Sequence, residues 1–310
     1  MNEILQICEF PEVTQTRLEE NFICHKYWLA DNKAEFLASH KAVKGLATSG
    51  FDGADAKLLA ALPALDIVSC FGVGVDAVDL DYAKTNGIKV TNTPDVLTDC
   101  VADLALALML AAARKVVETD RYVRAGNWKG EIYPLGTSLY GKTLGVIGFG
   151  RIGQAVAARA RAFGLKIAYQ GPNRKPNFDD PYFEDAADLA DISDFLVVCC
   201  PGGPATLNLV NASVLEALGS RGYLINVARG SVVDEAALID ALEQNQIAGA
   251  ALDVFAEEPK IPDTLRQMDN VILQPHHGSG TLETRKAMGD LMIDNLIAYF
   301  HGHDLLTRVV

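Results

Sequence analysis

Apolar residues in this chain come in short runs, separated by polar stretches with helical spacing. In the first third, "EILQIC" (3–8), "GLAT" (45–48), "DIVSC" (66–70) and "IKVTN" (88–92) read as strands, with helix-like "DAKLLAALP" (55–63) and "DLDYAKTNG" (79–87) between them. This alternation predicts βαβ units and a parallel sheet covered on both faces. From 101 to about 124 the pattern becomes one long helix, "VADLALALMLAAARKVVETDRYVR". A polar, aromatic, Gly-rich stretch follows, "AGNWKGEIYPLGTSLYGK" (125–142). A loop of that length inside a folded domain is usually functional or interfacial. Strands then return as "TLGVIG" (143–148), "LKIAY" (165–169), "FLVVCC" (195–200), "GYLINV" (222–227), "GAALDV" (249–254) and "NVILQP" (270–275). Helices are expected over 151–163 and 234–244, and a last one over roughly 282–300.

Composition narrows the function classes. The chain has 310 residues, 49% of them hydrophobic, enough for one large core or two ordinary domains. Its net charge of −13 repels a phosphate backbone, so no nucleic-acid role is expected. The longest apolar stretch, "LALALMLAAA" (104–113), is about half of a membrane span, and the N-terminus lacks the pattern of a signal peptide. Six cysteines, none in a C-x-x-C pair, point away from a metal or redox centre and towards a reducing cytoplasm. Cys70, Cys199 and Cys200 lie in apolar runs and read as buried small hydrophobes.

The strongest single motif is "GVIGFGRIGQAVAARARAFG" (145–164). It sets Gly148, Gly150 and Gly153 between a strand and a helix. Gly148 permits a tight turn, Gly150 lets backbone approach a pyrophosphate, and Gly153 allows close helix–strand packing. The helix N-terminus adds N–H donors, and Arg151 adds charge. A dinucleotide is therefore the expected cofactor. Near the end of the second strand, an NAD site usually carries an acid for the adenine-ribose hydroxyls. Here no acid occurs between Gly153 and Asp179, and "YQGPNRKP" (169–176) offers Asn173, Arg174 and Lys175. Arginine can grip a 2′-phosphate in a bidentate way and lysine adds a point charge, so NADP(H) is preferred and NAD(H) remains open.

The fold expected is α/β, with two Rossmann-like domains built on parallel sheets. The dinucleotide domain, 100–282 with a dimerisation loop at about 115–140, is inserted into a flavodoxin-like substrate domain, 1–99 plus 283–310. Three stretches at strand ends supply candidate chemistry. "INVARGSVVDE" (225–235) carries Arg229, "ALDVFAEEP" (251–259) carries Asp253 and Glu258, and "QPHHGSGT" (274–281) carries His276. Ligands of open α/β sheets bind at such carboxyl ends. Arg229 suits a carboxylate and a carbonyl, and His276 suits proton delivery to a carbonyl oxygen. Glu258, paired with His276, would orient it and stabilise the imidazolium.

With "GVGVDAVD" (72–79), "VADLALALMLAAAR" (101–114), "GVIGFGRIG", "INVARGSVVDE", "LDVFAEEP" and "PHHGSG" in this order, the chain resembles the D-2-hydroxyacid dehydrogenase family over nearly its whole length. Within the family it looks most like the NADPH-dependent glyoxylate/hydroxypyruvate and hydroxyphenylpyruvate reductases. The stretch "GSGTLETRKAMGDLMIDNL" (278–296) and the ending "LLTRVV" carry much of that likeness. The resemblance implies reduction of small 2-keto acids to D-2-hydroxy acids. Arg229, Glu258 and His276 would be catalytic, and His276 rather than His277 because the family sets the acid directly after Pro275. It implies further cofactor contacts from Thr98, Ile152, Cys200, Pro201, Thr206, Val227, Ala228, Asp253, His276 and Gly278. Asp253 would hold the nicotinamide carboxamide. Backbone at Val73 and Gly74, with Arg229, His276 and Ser279, would hold the substrate. The family is usually dimeric through this loop, and Trp128 would either enter the partner's active site or lie buried in the dimer interface. Two departures stand out. Gly171-Pro172 precede Asn173-Arg174 where the family's cationic pair follows the strand directly, and Gly280 and His277 vary the common ending of the His motif. The competing expectations are an NAD-linked lactate or phosphoglycerate enzyme and a non-catalytic, nucleotide-sensing co-repressor on the same fold.

Overall fold

The alternation of runs builds two parallel sheets. The structure, a computed structural model, describes residues 1–310. The N-terminal part holds β1 (Asn2–Gln6), α1 (Glu12–Asn21), β2 (Phe22–Lys26), α2 (Lys33–Ser39), β3 (Gly45–Ser49), α3 (Ala56–Ala60), β4 (Ile67–Phe71), α4 (Leu80–Thr85) and β5 (Lys89–Thr91). Next come α5 (Thr98–Ala113), α6 (Val116–Arg124), β6 (Thr143–Ile147), α7 (Arg151–Ala162), β7 (Lys166–Gln170) and β8 (Tyr182–Phe183). The chain goes on through α8 (Ala186–Asp191), β9 (Phe195–Val198), α9 (Ala212–Leu218), β10 (Tyr223–Asn226), α10 (Glu235–Glu243), β11 (Gly249–Leu252), α11 (Asp263–Gln267) and β12 (Val271–Leu273), and ends on α12 (Leu282–Phe300). The first sheet runs β2-β1-β3-β4-β5 and the second β12-β11-β10-β9-β6-β7-β8. Both are doubly wound orders, and in the second the winding reverses between β6 and β9.

The chain divides into two compact units, Met1–Leu97 with Ser279–Val310, and Thr98–Gly278. In the first unit, β4 is buried at every position, so both its faces must be apolar. One of them is covered by α12, which also packs on α1. Gly289 permits that approach, because a Cβ there would lie 2.1 Å from the Thr14 hydroxyl. Arg17 on α1 then clasps α12 through Asp290 at 2.9 Å and Asp294 at 2.6 Å. In the second unit, β9, β10 and β11 are buried throughout, and Leu196, Val198, Leu224 and Leu252 pack into one core. Each such side chain contributes about 1.5–3 kcal/mol of burial free energy. No helix of the chain is long and apolar enough to cross a membrane.

The α/β architecture and all ten expected strands are present, with ends shifted by a residue or two. Three features differ from expectation. The long helix of 101–124 is two helices, α5 and α6. The break lies at Lys115, whose φ of 54° leaves the helical region. The Ala113 carbonyl, which a continuing helix would use, accepts instead from Thr137 N–H at 2.7 Å. Strands β2 and β8 gave no clear signal. Each is a sheet edge; β2 is mostly half-buried, and β8 is two residues long. Cys70 and Cys200 are buried as expected, but Cys199 is only half-buried.

Candidate active site

The turn after β6 explains its glycines through contacts. Gly148 has φ +89°, and a Cβ on it would come within 2.4 Å of the Cys200 nitrogen at the end of β9. Its own N–H is held by the Gln170 carbonyl of β7 at 2.9 Å, so the turn is pinned by both neighbouring strands. A Cβ on Gly153 would meet the Gly148 carbonyl oxygen at 2.3 Å, which is the close helix–strand packing the motif demands. A Cβ on Gly150 would meet nothing within 4 Å. That open space lies at the N-terminus of α7, where no side chain caps the first turn. Uncapped N–H groups, a positive dipole end and room for backbone approach fit a pyrophosphate. Arg151 there is exposed, and Ile152 and Gly153 turn inward.

Beyond β7 the chain holds Asn173 and Arg174 exposed and Lys175 half-buried. Two tyrosine hydroxyls shape this loop. Tyr169 OH accepts from Lys175 N–H at 2.8 Å, and Tyr182 OH donates to the Gly171 carbonyl at 3.0 Å. Tyr169 is fully buried and stacks on Phe149 at 4.3 Å between centroids. The inserted Gly171-Pro172 therefore sit in a braced turn. At the end of β9, Cys200 is buried and Pro201 exposed, and the half-buried Thr206 closes the turn by donating to the Pro201 carbonyl at 2.7 Å. Burial pushes the Cys200 thiol up to about 11, which keeps it protonated at neutral pH. Val227 and Ala228 lie buried after β10, and Thr98 opens α5 half-buried.

Glu258 and His276 meet directly. His276 Nδ1 lies 2.7 Å from Glu258 Oε2, while Glu258 Oε1 accepts from Phe255 N–H at 2.9 Å. Burial alone would raise the Glu258 carboxyl. The bonds from His276 and Phe255 and the Arg229 charge outweigh it and hold the carboxyl below the ordinary glutamate range. His276 itself has φ 51°, a backbone state uncommon for a residue other than glycine. The surroundings impose it. His276 N–H donates to the Asp253 carbonyl at 2.8 Å. The Asp253 carboxylate accepts from His277 N–H at 2.6 Å and from Gly278 N–H at 2.7 Å. Asp253 is 1% exposed and burial raises its pKa, so its first task is to fix the backbone of the 276–278 turn.

Arg229 follows β10 and is half-buried, with Nη1 donating to the Ala228 carbonyl at 2.8 Å. Two residues that sequence reading passed over position it. Asn226, 1% exposed, donates to the Arg229 carbonyl at 3.0 Å and accepts from Ala228 N–H at 3.0 Å. Gly230 abuts the Phe255 backbone so closely that a Cβ would lie 1.9 Å from its carbonyl carbon. The turn bearing Arg229 and the turn bearing Glu258 are thereby packed together. The one signal that could have found these two residues is the glycine of "ARGS", next to a strand end.

The first unit carries Val73 and Gly74, both half-buried, in the turn after β4, and the half-buried Ser279 ahead of α12. Trp128 is 68% exposed in the 125–142 loop, with Ile132, Leu135 and Tyr140 still more so.

A doubly wound sheet with a phosphate-type cradle at its reversal point, and an arginine and a carboxylate-paired histidine after β10 and β12, has the layout of a nicotinamide-dependent oxidoreductase. The chain belongs to the D-isomer specific 2-hydroxyacid dehydrogenases, whose NAD binding domain matches residues 106–278. It is 47% identical over 308 residues to a hydroxyphenylpyruvate reductase of Plectranthus scutellarioides, covering 99% of this chain and 98% of that one. A glyoxylate/hydroxypyruvate reductase A of Arabidopsis thaliana matches with the same identity and coverage, 47%, 99% and 98%. Among solved structures, an NADPH-dependent glyoxylate/hydroxypyruvate reductase of Sinorhizobium meliloti, in complex with NADP and malonate, superposes with a TM-score of 0.92 at 42% identity, covering 100% of this chain and 97% of that one. The family resemblance read from the motifs, and the oxidoreductase class it implies, stand.

Proposed function

We propose that the chain reduces small 2-keto acids, with glyoxylate and hydroxypyruvate foremost and phenylpyruvates as further candidates, to D-2-hydroxy acids at the expense of NADPH. The observation that carries this reading is the 2.7 Å pairing of His276 with Glu258, in the same unit as the Gly148–Gly153 cradle. When bound, the cofactor supplies a hydride to the keto carbon. The protein's share is charge and proton. Arg229 holds the substrate carboxylate and polarises the carbonyl. With Nδ1 engaged by Glu258, which fixes the orientation of the ring, His276 delivers a proton from Nε2 to the carbonyl oxygen. In the reverse direction His276 takes that proton. Asp253 sets the 276–278 turn and would meet the nicotinamide carboxamide. Val73, Gly74 and Ser279 would hold the substrate carboxylate.

The exposed Asn173 and Arg174, with Lys175 beside them, support NADP(H) over NAD(H), because an acid at this place would repel a 2′-phosphate. A homodimer accounts for Trp128, Ile132, Leu135 and Tyr140, exposed on one loop, and for Val116 and Val123, exposed on the preceding α6. Trp128 of the partner subunit would then border the substrate. Six cysteines without a disulfide fit the cytoplasm.

The test is the initial rate of NADPH and of NADH consumption with glyoxylate, hydroxypyruvate, pyruvate and phenylpyruvate. The reading expects turnover of at least one keto acid and a preference for NADPH. Absence of turnover with every pair would overturn it in favour of a nucleotide-sensing protein on the same fold.

A further inference from the structure

The ending "LLTRVV" plays no part in the chemistry above, yet it is tightly built into the first unit. Residues 307–310 run antiparallel along β5: Asn92 N–H donates to the Thr307 carbonyl at 3.3 Å and Val309 N–H to the Val90 carbonyl at 2.7 Å. Thr307 also lends its hydroxyl, which donates to the Asn92 carbonyl at 2.6 Å. Behind it stands Asn295 of α12, 0% exposed. Its Nδ2 donates to the Leu291 carbonyl at 2.9 Å and to Thr307 Oγ1 at 2.8 Å, and its Oδ1 accepts from Leu306 and Thr307 N–H at 3.0 and 3.2 Å. Both donors and both lone pairs are used, which makes this amide a rigid anchor.

From the anchored Asn92 one bond goes on. Asn92 Nδ2 donates to the Val73 carbonyl at 2.9 Å. The carbonyl of Val73 and the N–H of Gly74 belong to one peptide unit, which is planar and trans, so holding the oxygen on one side aims the N–H to the other. Thr93 secures the start of the same turn. Its Oγ1 accepts from Gly72 N–H at 3.0 Å, and its own N–H donates to the Gly72 carbonyl at 2.8 Å.

We infer that Asn92 is a positioning residue for substrate: latched by Thr307 and Asn295, it orients the Val73–Gly74 peptide so that the Gly74 N–H meets the carboxylate of the 2-keto acid. This rests on the proposed reading of the 73–74 turn as the carboxylate site. A hydrogen bond from a correctly aimed amide to a carboxylate is charge-assisted, so losing its alignment is felt as weaker substrate binding while proton and hydride transfer go on.

The experiment is steady-state kinetics of the full-length protein with NADPH and glyoxylate or hydroxypyruvate, for wild type, Asn92→Ala, Asn92→Asp and Thr307→Val, with thermal melting of each. Asn92→Ala should raise the keto-acid KM roughly tenfold, with kcat within about threefold and the NADPH KM unchanged. Asn92→Asp, of equal size but with an acceptor facing the Val73 carbonyl, should raise it further. Thr307→Val should raise it about threefold, through the latch alone. If Asn92→Ala does not fold, the Asp and Val variants decide. A wild-type keto-acid KM in the Asn92 variants that fold, or a parallel rise in the NADPH KM, overturns the inference and leaves the functional reading intact. A wild-type protein that turns over no 2-keto acid removes the functional reading and this inference with it.

Discussion

Replacing Gly150 and Gly148 by alanine should produce opposite failures. At Gly148 the backbone has φ +89°, which costs an L-residue about 1–2 kcal/mol. The new methyl would also lie 2.4 Å from the Cys200 nitrogen, so the end of β9 must shift. Together these cost roughly 2–4 kcal/mol, or about 5–15 °C in melting temperature for a unit of this size. At Gly150, φ is −82° and no atom lies within 4 Å of the new methyl. Alanine there should leave melting unchanged, or raise it slightly by restricting the unfolded chain. It does occupy the space assigned to the pyrophosphate. An NADPH Kd about 10- to 100-fold weaker is expected, corresponding to about 1.4–2.7 kcal/mol. The assay is thermal melting with and without NADPH, together with titration of nicotinamide fluorescence. Gly150→Ala should melt like wild type and lose most of the stabilisation that NADPH confers. If it binds NADPH as wild type does, the cofactor does not pass over Gly150 and the cradle has been misread. If Gly148→Ala melts like wild type, the contact with the end of β9 is not the reason for that glycine.

His276→Ala should lower kcat by about 10²- to 10⁴-fold, with NADPH affinity near wild type; wild-type turnover would remove it as the acid. Arg174→Ala should weaken NADPH at least about tenfold and leave NADH nearly unchanged, in a comparison of the two KM values at fixed ionic strength; an equal loss for both would make the cation incidental. Glu258 has a folded-state pKa below that of the unfolded chain, so its contribution to stability is present above about pH 4.3 and is lost as pH falls through the lowered folded value. Urea unfolding of Glu258→Gln should accordingly show a flatter decline in stability than wild type over that acidic window, and identical slopes would refute the pairing.

What the sequence made legible follows from the reach of each signal. Buried parallel strands need apolar residues on both faces, so β4, β6, β9, β10 and β11 announced themselves as short apolar runs. The edge strand β2 packs on one side only, and "FICHK" mixes polar and apolar positions accordingly. The break between α5 and α6 was invisible because its cause is distant: Thr137 takes the Ala113 carbonyl from more than twenty residues away. At the site, the Gly motif and the order of Arg229, Glu258 and His276 were readable because glycines and charges are distinctive letters. Asn226, Gly230 and Asn92 were not, since what distinguishes them is which backbone atom each one touches. Asp253 shows a further limit. A role implied by resemblance did not reveal that its carboxylate is already engaged by two backbone N–H groups.

The split of the first unit across the chain sets an order on how the protein can be made. Residues 1–97 leave the ribosome long before α12 and the 307–310 tail, which that unit needs. Until α12 arrives, the face of β4 that it covers has no partner, the Ser69 hydroxyl lacks its Met292 acceptor, and Arg17 lacks Asp290 and Asp294. The Thr98–Gly278 unit is contiguous and can close first, while the N-terminal half-domain waits with an apolar surface exposed. Such a nascent chain is a natural client for chaperones that shield hydrophobic segments, and slowing translation through the last helix should prolong that dependence.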